Sequence, residues 1–144
     1  MKKFLTITVA AMLLISLLLA SCGGGGAPKG SIVGKWVIFE KNGKVSDDEF
    51  SKNTVFDFTA DGKIIISMGG EAMGDFTYTT EKATGFTHII IKTKDGDTIY
   101  GAFSFEDGGK VLILKTNDKD QTYPTKMDAE EGYTIEKYKP AATE

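Results

Sequence analysis

Residues 54–68 read Thr-Val-Phe-Asp-Phe-Thr-Ala-Asp-Gly-Lys-Ile-Ile-Ile-Ser-Met, and their alternation organises the rest of the chain. In an extended chain successive side chains point to opposite faces, so Phe56 and Phe58 share one side while Asp57 and Thr59 share the other. Asp61-Gly62 follows, supplying the positive φ that a tight reversal needs. Ile64, Ile65 and Ile66 then resume as a second strand, which predicts a β-hairpin. The same device returns at Asp95-Gly96 and at Asp107-Gly108-Gly109, each between β-branched or aromatic runs. A succession of hairpins of this kind is a meander, and a meander can close on itself.

Outward from this hairpin, residues 31–39 read as a first strand. Asn42-Gly43 is a turn signal, and Ser46-Asp47-Asp48-Glu49 has the spacing of a capping box. A short helix is therefore predicted over residues 47–52, with Ser46 as its cap and Phe50 as its apolar foot. Gly69-Gly70 breaks the chain after the hairpin. Residues 73–80 form the next strand, with Phe76 and Tyr78 on one face and Asp75, Thr77 and Thr79 on the other. Residues 86–93 follow, less cleanly phased because Ile89, Ile90 and Ile91 are consecutive. In residues 97–105, Ile99, Gly101, Phe103 and Phe105 are in phase, and Gly101 marks a place where a barrel wall can bend. Residues 110–116 are another strand. A polar stretch with Pro124 and an expected helical turn over 127–131 precedes a last strand, 133–138, suited to a closing or edge position. The expected fold is all-β: an eight-stranded antiparallel up-and-down barrel with one or two short helices.

The first residues belong to export rather than to the fold. Lys2 and Lys3 are a basic opening, residues 4–19 are apolar apart from Thr6, Thr8 and Ser16, and small residues follow. Leu19-Ala20-Ser21-Cys22 resembles the lipobox of bacterial lipoproteins, in which the Cys thiol is lipidated and the signal is cut before it. An ordinary cleaved signal with a chance cysteine and an uncleaved anchor are the alternatives; the apolar run is short for a span, which needs roughly 20 residues. Cys22 is the single cysteine, and lipidation would give that unpaired thiol a use. Several acyl chains, each CH₂ contributing about 0.8 kcal/mol, would hold the protein at a membrane surface. The expected organisation is a signal peptide (1–21), the lipidated Cys with a Gly-rich tether (22–30), and one barrel domain (31–140). Because Gly23 follows the cysteine, the expected address is the outer membrane in a Gram-negative cell, and in a Gram-positive cell the outer face of the plasma membrane.

Charge narrows the function classes. There are 17 lysines, two of them in the signal, and no arginine against 20 acidic residues, so the mature chain carries −5. A nucleic-acid partner would want a basic face and Arg forks, and none is expected. Catalysis is not expected either. His88 is the only histidine, with no second His to ligate a metal or serve a nucleophile, and a lone His in a strand is more often structural. Asp47, Asp48 and Glu49 suit a first helical turn by charge alone. Asn117-Asp118-Lys119-Asp120 lacks the Gly and distal Glu of a calcium loop. No cofactor and no metal are expected.

Gly34-Lys35-Trp36 on the first strand resembles the Gly-x-Trp motif of lipocalins, whose Trp packs across the barrel floor. The Phe-x-Phe strand, the Asp-Gly turn and Gly74-Asp75-Phe76-Thr77-Tyr78 are similar to bacterial lipocalin-like lipoproteins, over most of residues 32–138. The domain is shorter than animal lipocalins and lacks the Arg often packed on that Trp. The resemblance therefore implies the meander and the place of Trp36 and carries no ligand with it.

The inward apolar set is the one candidate site: Trp36, Phe56, Phe58, Phe76, Tyr78, Phe103 and Phe105, with Ile38, Ile64 and Ile66 in the same phase. A small barrel can fill itself with such side chains and leave no cavity. The other expectation is a pocket for a small hydrophobic or amphipathic molecule, with Tyr78 as a polar contact. Two functions remain open: a lipid-anchored envelope protein that binds such a ligand, and a filled barrel that contacts or inhibits another envelope protein through residues 117–131. The protein is expected to be monomeric.

Overall fold

The structure is a computed structural model that describes residues 30–117 and 119–142; the signal, Cys22 and residues 23–29 of the tether lie outside the described residues. Its elements are β1 (Gly34–Lys41), β2 (Lys44–Val45), α1 (Glu49–Asn53), β3 (Thr54–Phe58), β4 (Lys63–Met68), β5 (Glu71–Lys82), β6 (Thr87–Lys92), β7 (Thr98–Glu106), a 3-10 turn (Asp107–Gly109), β8 (Val111–Asn117) and β9 (Thr134–Pro140).

Turn chemistry generates the order. Thr59 and Thr93 each open a loop of the form Thr-x-Asp-Gly, in which the glycine N–H donates to the threonine carbonyl, at 3.2 Å for Gly62 and 3.1 Å for Gly96. The glycine alone takes positive φ, +82° at Gly62 and +94° at Gly96, while Asp61 and Asp95 stay out of the left-handed region. The hairpin expected at Asp61-Gly62 is therefore present, with one left-handed residue after a right-handed turn rather than two. Asn42 and Gly43 both take positive φ, the mirror-image turn that joins β1 to the short β2.

Every strand pairs antiparallel with its neighbour, and β9 returns to β1 with Trp36 opposite Pro140 and Ile38 opposite Tyr138. Eight strands thus close into an up-and-down barrel, and β2 is an appendage of β1. Closure removes the free edges that β1 and β9 would otherwise expose. The consecutive isoleucines resolve by the period-2 rule: Ile89 and Ile91 are buried inside, and Ile90 faces out. The interior cluster contains Ile32, Trp36, Ile38, Phe58, Ile64, Ile89, Ile91, Phe103, Leu112, Leu114 and Tyr138, with Phe56, Ile66, Phe76, Tyr78, Ile99 and Phe105 packed against it. Each large side chain so buried contributes about 1.5–3 kcal/mol.

Two helical expectations need correction. The helix is capped by Asp48, not Ser46, because the Asp48 carboxylate accepts from both the Ser51 N–H (3.0 Å) and the Ser51 hydroxyl (2.8 Å). It runs over Glu49–Asn53, and Phe50 faces solvent at 48% exposure while Ser51 is the buried residue. Residues 127–131 form no helix. The Asp128 carbonyl and the Glu130 carboxylate instead accept from the Lys115 ammonium. Lys115 points outward from β8 yet is fully buried. Its Nζ donates to the carbonyls of Lys126 (3.1 Å) and Asp128 (2.8 Å) and to the Glu130 carboxylate (2.9 Å), under the Tyr133 ring at 4.5 Å. Residues 119–133 therefore form a strap along the outside of β6, β7 and β8. Tyr123 stacks on His88 (4.2 Å) and meets Tyr100 edge-on (5.1 Å), and Pro124 of the strap and Ala102 of β7 are both buried. The lone histidine is a packing partner of this strap.

Candidate functional site

The two ends of the barrel differ. At the end where the chain enters β1, Trp36 donates its indole N–H to the Ile32 carbonyl (2.8 Å) and packs on Phe105, ring centroids 6.2 Å apart. Phe103 meets Phe105 edge-on at 5.8 Å. Gly30 lies so close that a Cβ there would sit 2.6 Å from the Phe105 ring. This end is a floor, closed by aromatic side chains and by the segment leading into β1. Toward the opposite end the side chains leave a cup of about 280 Å³.

Phe56 and Phe58 on β3, Ile64 and Ile66 on β4, Phe76 on β5, Ile91 on β6, Ile99 on β7 and Leu114 on β8 form the apolar wall. The polar part comes from three strands. Thr116 and Thr134 sit opposite one another on β8 and β9. Glu136 and Tyr138, two residues apart on β9, both face in, and the Tyr138 hydroxyl donates to the Glu136 carboxylate at 2.6 Å. Lys41 completes an ion pair with Glu136 at 3.2 Å, its side chain 55% exposed against 17% for Glu136. Burial, with the Glu136 charge beside it, holds the Tyr138 phenol well above the usual tyrosine range.

A β-bulge puts Lys41 there. Trp36 and Ile38 face in, so strict alternation would send residue 40 inward and residue 41 outward. Between Ile38 and Glu40 the register with β9 shifts by one residue. Glu40 consequently lies opposite Lys137 on the outer face, and Lys41 lies opposite Glu136 on the inner one. Re-aiming a side chain at a barrel rim is a recurrent use of a bulge.

Of the seven aromatic residues singled out in the sequence, Phe56, Phe58 and Phe76 line the cup. Trp36, Phe103 and Phe105 belong to the floor. Tyr78 packs edge-on against Phe58 (5.5 Å), and its hydroxyl donates to the Thr59 carbonyl in the floor-side turn at 2.8 Å, so that polar handle is engaged away from the cup. Cys22 lies outside the described residues. Lys41, Glu136, Tyr138, Thr116 and Thr134 were not legible as a site. The inner face of β9, Thr134-Glu136-Tyr138, is as mixed as its outer face, Tyr133-Ile135-Lys137, and neither phase stands out.

A second concavity, about 660 Å³, lies outside the barrel between the strap and the Asn42-Gly43 turn. Ile113 and Ile135 form its base, with Glu40, Glu106, Glu130 and Glu131 around it. Lys137 offsets part of that charge through contacts to Glu106 (3.3 Å) and Glu40 (3.8 Å). The cup has its walls built from strands of the barrel, whereas one wall of the outer groove is the strap. Among the described residues no three His, Cys, Asp or Glu side chains gather as a metal site. Comparison with protein-family models, with curated proteins and with solved structures found no match to the chain.

Proposed function

We propose that this protein is a lipid-anchored component of the bacterial envelope that binds one small amphipathic molecule in the cup, without catalysing a reaction. The observation that carries the reading is an open, strand-walled cup in which eight apolar side chains converge and, among the described residues, the charges are the Lys41–Glu136 pair at the rim. An apolar body excluded from water by Phe56, Ile66, Phe76 and Ile99, with a polar head at the rim, matches that division. At 280 Å³ the cup is at the small end of ligand sites, so the occupant is a short-chain or single-ring molecule rather than a whole phospholipid. The anchor rests on the lipobox-like Leu19-Ala20-Ser21-Cys22.

Native mass spectrometry of the protein extracted from its own cells tests the cup. A reproducible small-molecule mass is expected, and it should disappear in an Ile66→Trp variant that fills the space. An unchanged mass in that variant, or a bare protein in both, refutes the reading. For the anchor, Cys22→Ser is expected to give soluble, unlipidated protein; a variant still bound to the membrane refutes it.

One observation favours a second reading, a protein-contact module: the acidic outer groove with its apolar base. Its partner would be a cationic segment of another envelope protein. Exchanging Glu106 and Glu131 for glutamine, which leaves the Lys115–Glu130 contact in place, should weaken co-purification of such a partner. Unchanged co-purification removes the groove from the account.

A further inference from the structure

From the rim chemistry we infer that the cup selects cationic amphiphiles, molecules with an ammonium head and a short apolar body; this rests on the binding reading above. Glu136 is the fixed charge of the cup. Its carboxylate is mostly sheltered and is oriented by the Tyr138 hydroxyl at 2.6 Å. Lys41 is the movable one, since more than half of its side chain is in water and its ammonium sits on a flexible four-carbon stem. The Lys41 ammonium, paired with Glu136 at 3.2 Å, occupies the place that a ligand's cationic head would take.

The two charge types of ligand then meet different situations. An incoming ammonium displaces Lys41 from Glu136, and Lys41 swings into solvent where its charge is readily hydrated. The sheltered carboxylate keeps a cationic partner throughout, and Thr116 and Thr134 line the same cup with hydroxyls that can accept. An incoming carboxylate must share Lys41 with Glu136 and hold two like charges together in a partly desolvated site, which disfavours it. The bulge between Ile38 and Glu40 is what sets Lys41 opposite Glu136, so that the cup carries its own cationic partner for this carboxylate.

The strands, floor and strap all come from residues 30–142, so the signal-free Cys22→Ser chain serves for calorimetric titration. The probes are octylamine, octanol and octanoate at neutral pH, which share a chain and differ in head charge. Octylamine is expected to bind about tenfold tighter than octanol, the scale of one charge-assisted hydrogen bond, and octanoate weakest. Glu136→Gln, which keeps an acceptor for Tyr138, should bring octylamine to the octanol level. Lys41→Met should tighten octylamine by removing its competitor. Equal affinities for the three probes, or octanoate binding tightest and losing its affinity in Lys41→Met, overturn cation selectivity while leaving a binding cup. Failure of all three to bind refutes the cup itself.

Discussion

Replacing Lys115 by Met tests the strap most sharply, because the change keeps the apolar stem and deletes only the ammonium. The variant leaves the Lys126 and Asp128 carbonyls and the Glu130 carboxylate without their shared donor. Hydrogen bonds to a charged group contribute about 1.5–3 kcal/mol each in net terms, and removing one partner of a buried pair costs about 3–5 kcal/mol. A ceiling acts here: Glu130 is 38% exposed, and once the strap lifts, all three acceptors regain water. The loss therefore cannot exceed the free energy that holds the strap down, and about 2–4 kcal/mol is expected. At about 4 °C per kcal/mol for a domain of this size, Tm should fall by about 8–16 °C. Urea unfolding and hydrogen exchange of residues 119–133 read the two parts, with exchange in the strap accelerating before the barrel opens. The control is Lys63→Met, whose partner Asp61 lies at 3.4 Å with both side chains more than half exposed; it should cost under about 1 kcal/mol. If Lys115→Met stays within about 0.5 kcal/mol of the parent and strap exchange is unchanged, the account of the buried ammonium is wrong.

Acid should loosen the same strap. The hydrogen bond from Lys115 holds the Glu130 carboxyl below its usual range, so its contribution is present above the ordinary Glu value of about 4.3 and is lost as pH falls through the lowered one; strap protection, taken relative to the intrinsic exchange rate at each pH between 6 and 3, should fall in the parent and stay flat in Glu130→Gln. Asp48, held down by the Ser51 donors, and Asp61, held down by the Thr59 hydroxyl, act in the same direction, and Asp48→Ala, which deletes the cap, should lower the urea midpoint. In alkali, burial raises Tyr78 and Tyr123 and raises Tyr138 furthest. Phenolate absorbance of the folded protein should therefore show fewer than the five tyrosines of the sequence titrating in the normal range, with the remainder released together on unfolding. Gly101→Ala would place a Cβ 2.7 Å from the Lys115 carbonyl and should destabilise by about 1–3 kcal/mol, measured as a lower urea midpoint at constant slope; an unchanged midpoint would show that β7 and β8 can separate there.

The barrel was legible because its strands carry a period of two and its reversals carry Asp-Gly, both local properties of the chain. Phe56, Phe58, Phe76, Phe103 and Phe105 all face in as their phases required. What decides the cup is less local. The extra residue in β1 leaves no mark in Val37-Ile38-Phe39-Glu40-Lys41, so nothing in that stretch shows that the lysine and not the glutamate turns inward. Lys115 in Leu112-Ile113-Leu114-Lys115 reads as an outward lysine, and so it is; that a distant polar segment buries it depends on where residues 126–130 come to rest. The cap expected at Ser46 falls at Asp48, because Ser51 offers two donors to that one carboxylate. Short-range pattern thus reached the wall of the barrel, and the polar groups that give the cup its character arise from register and from long-range packing.

Both ends of the described chain leave the barrel at its floor: Gly30 lies against Phe105, and the Ala141 N–H donates to the Lys35 carbonyl at 2.9 Å, beyond Pro140 opposite Trp36. With a lipid on Cys22, the mooring and the opening are then at opposite poles. The seven residues between Cys22 and Gly30 span at most about 3.6 Å each, a short leash that favours the floor facing the bilayer and the rim facing open fluid. So moored, the protein would be poorly placed to draw cargo sideways out of the leaflet beneath it, and would suit a sentinel that samples the aqueous space.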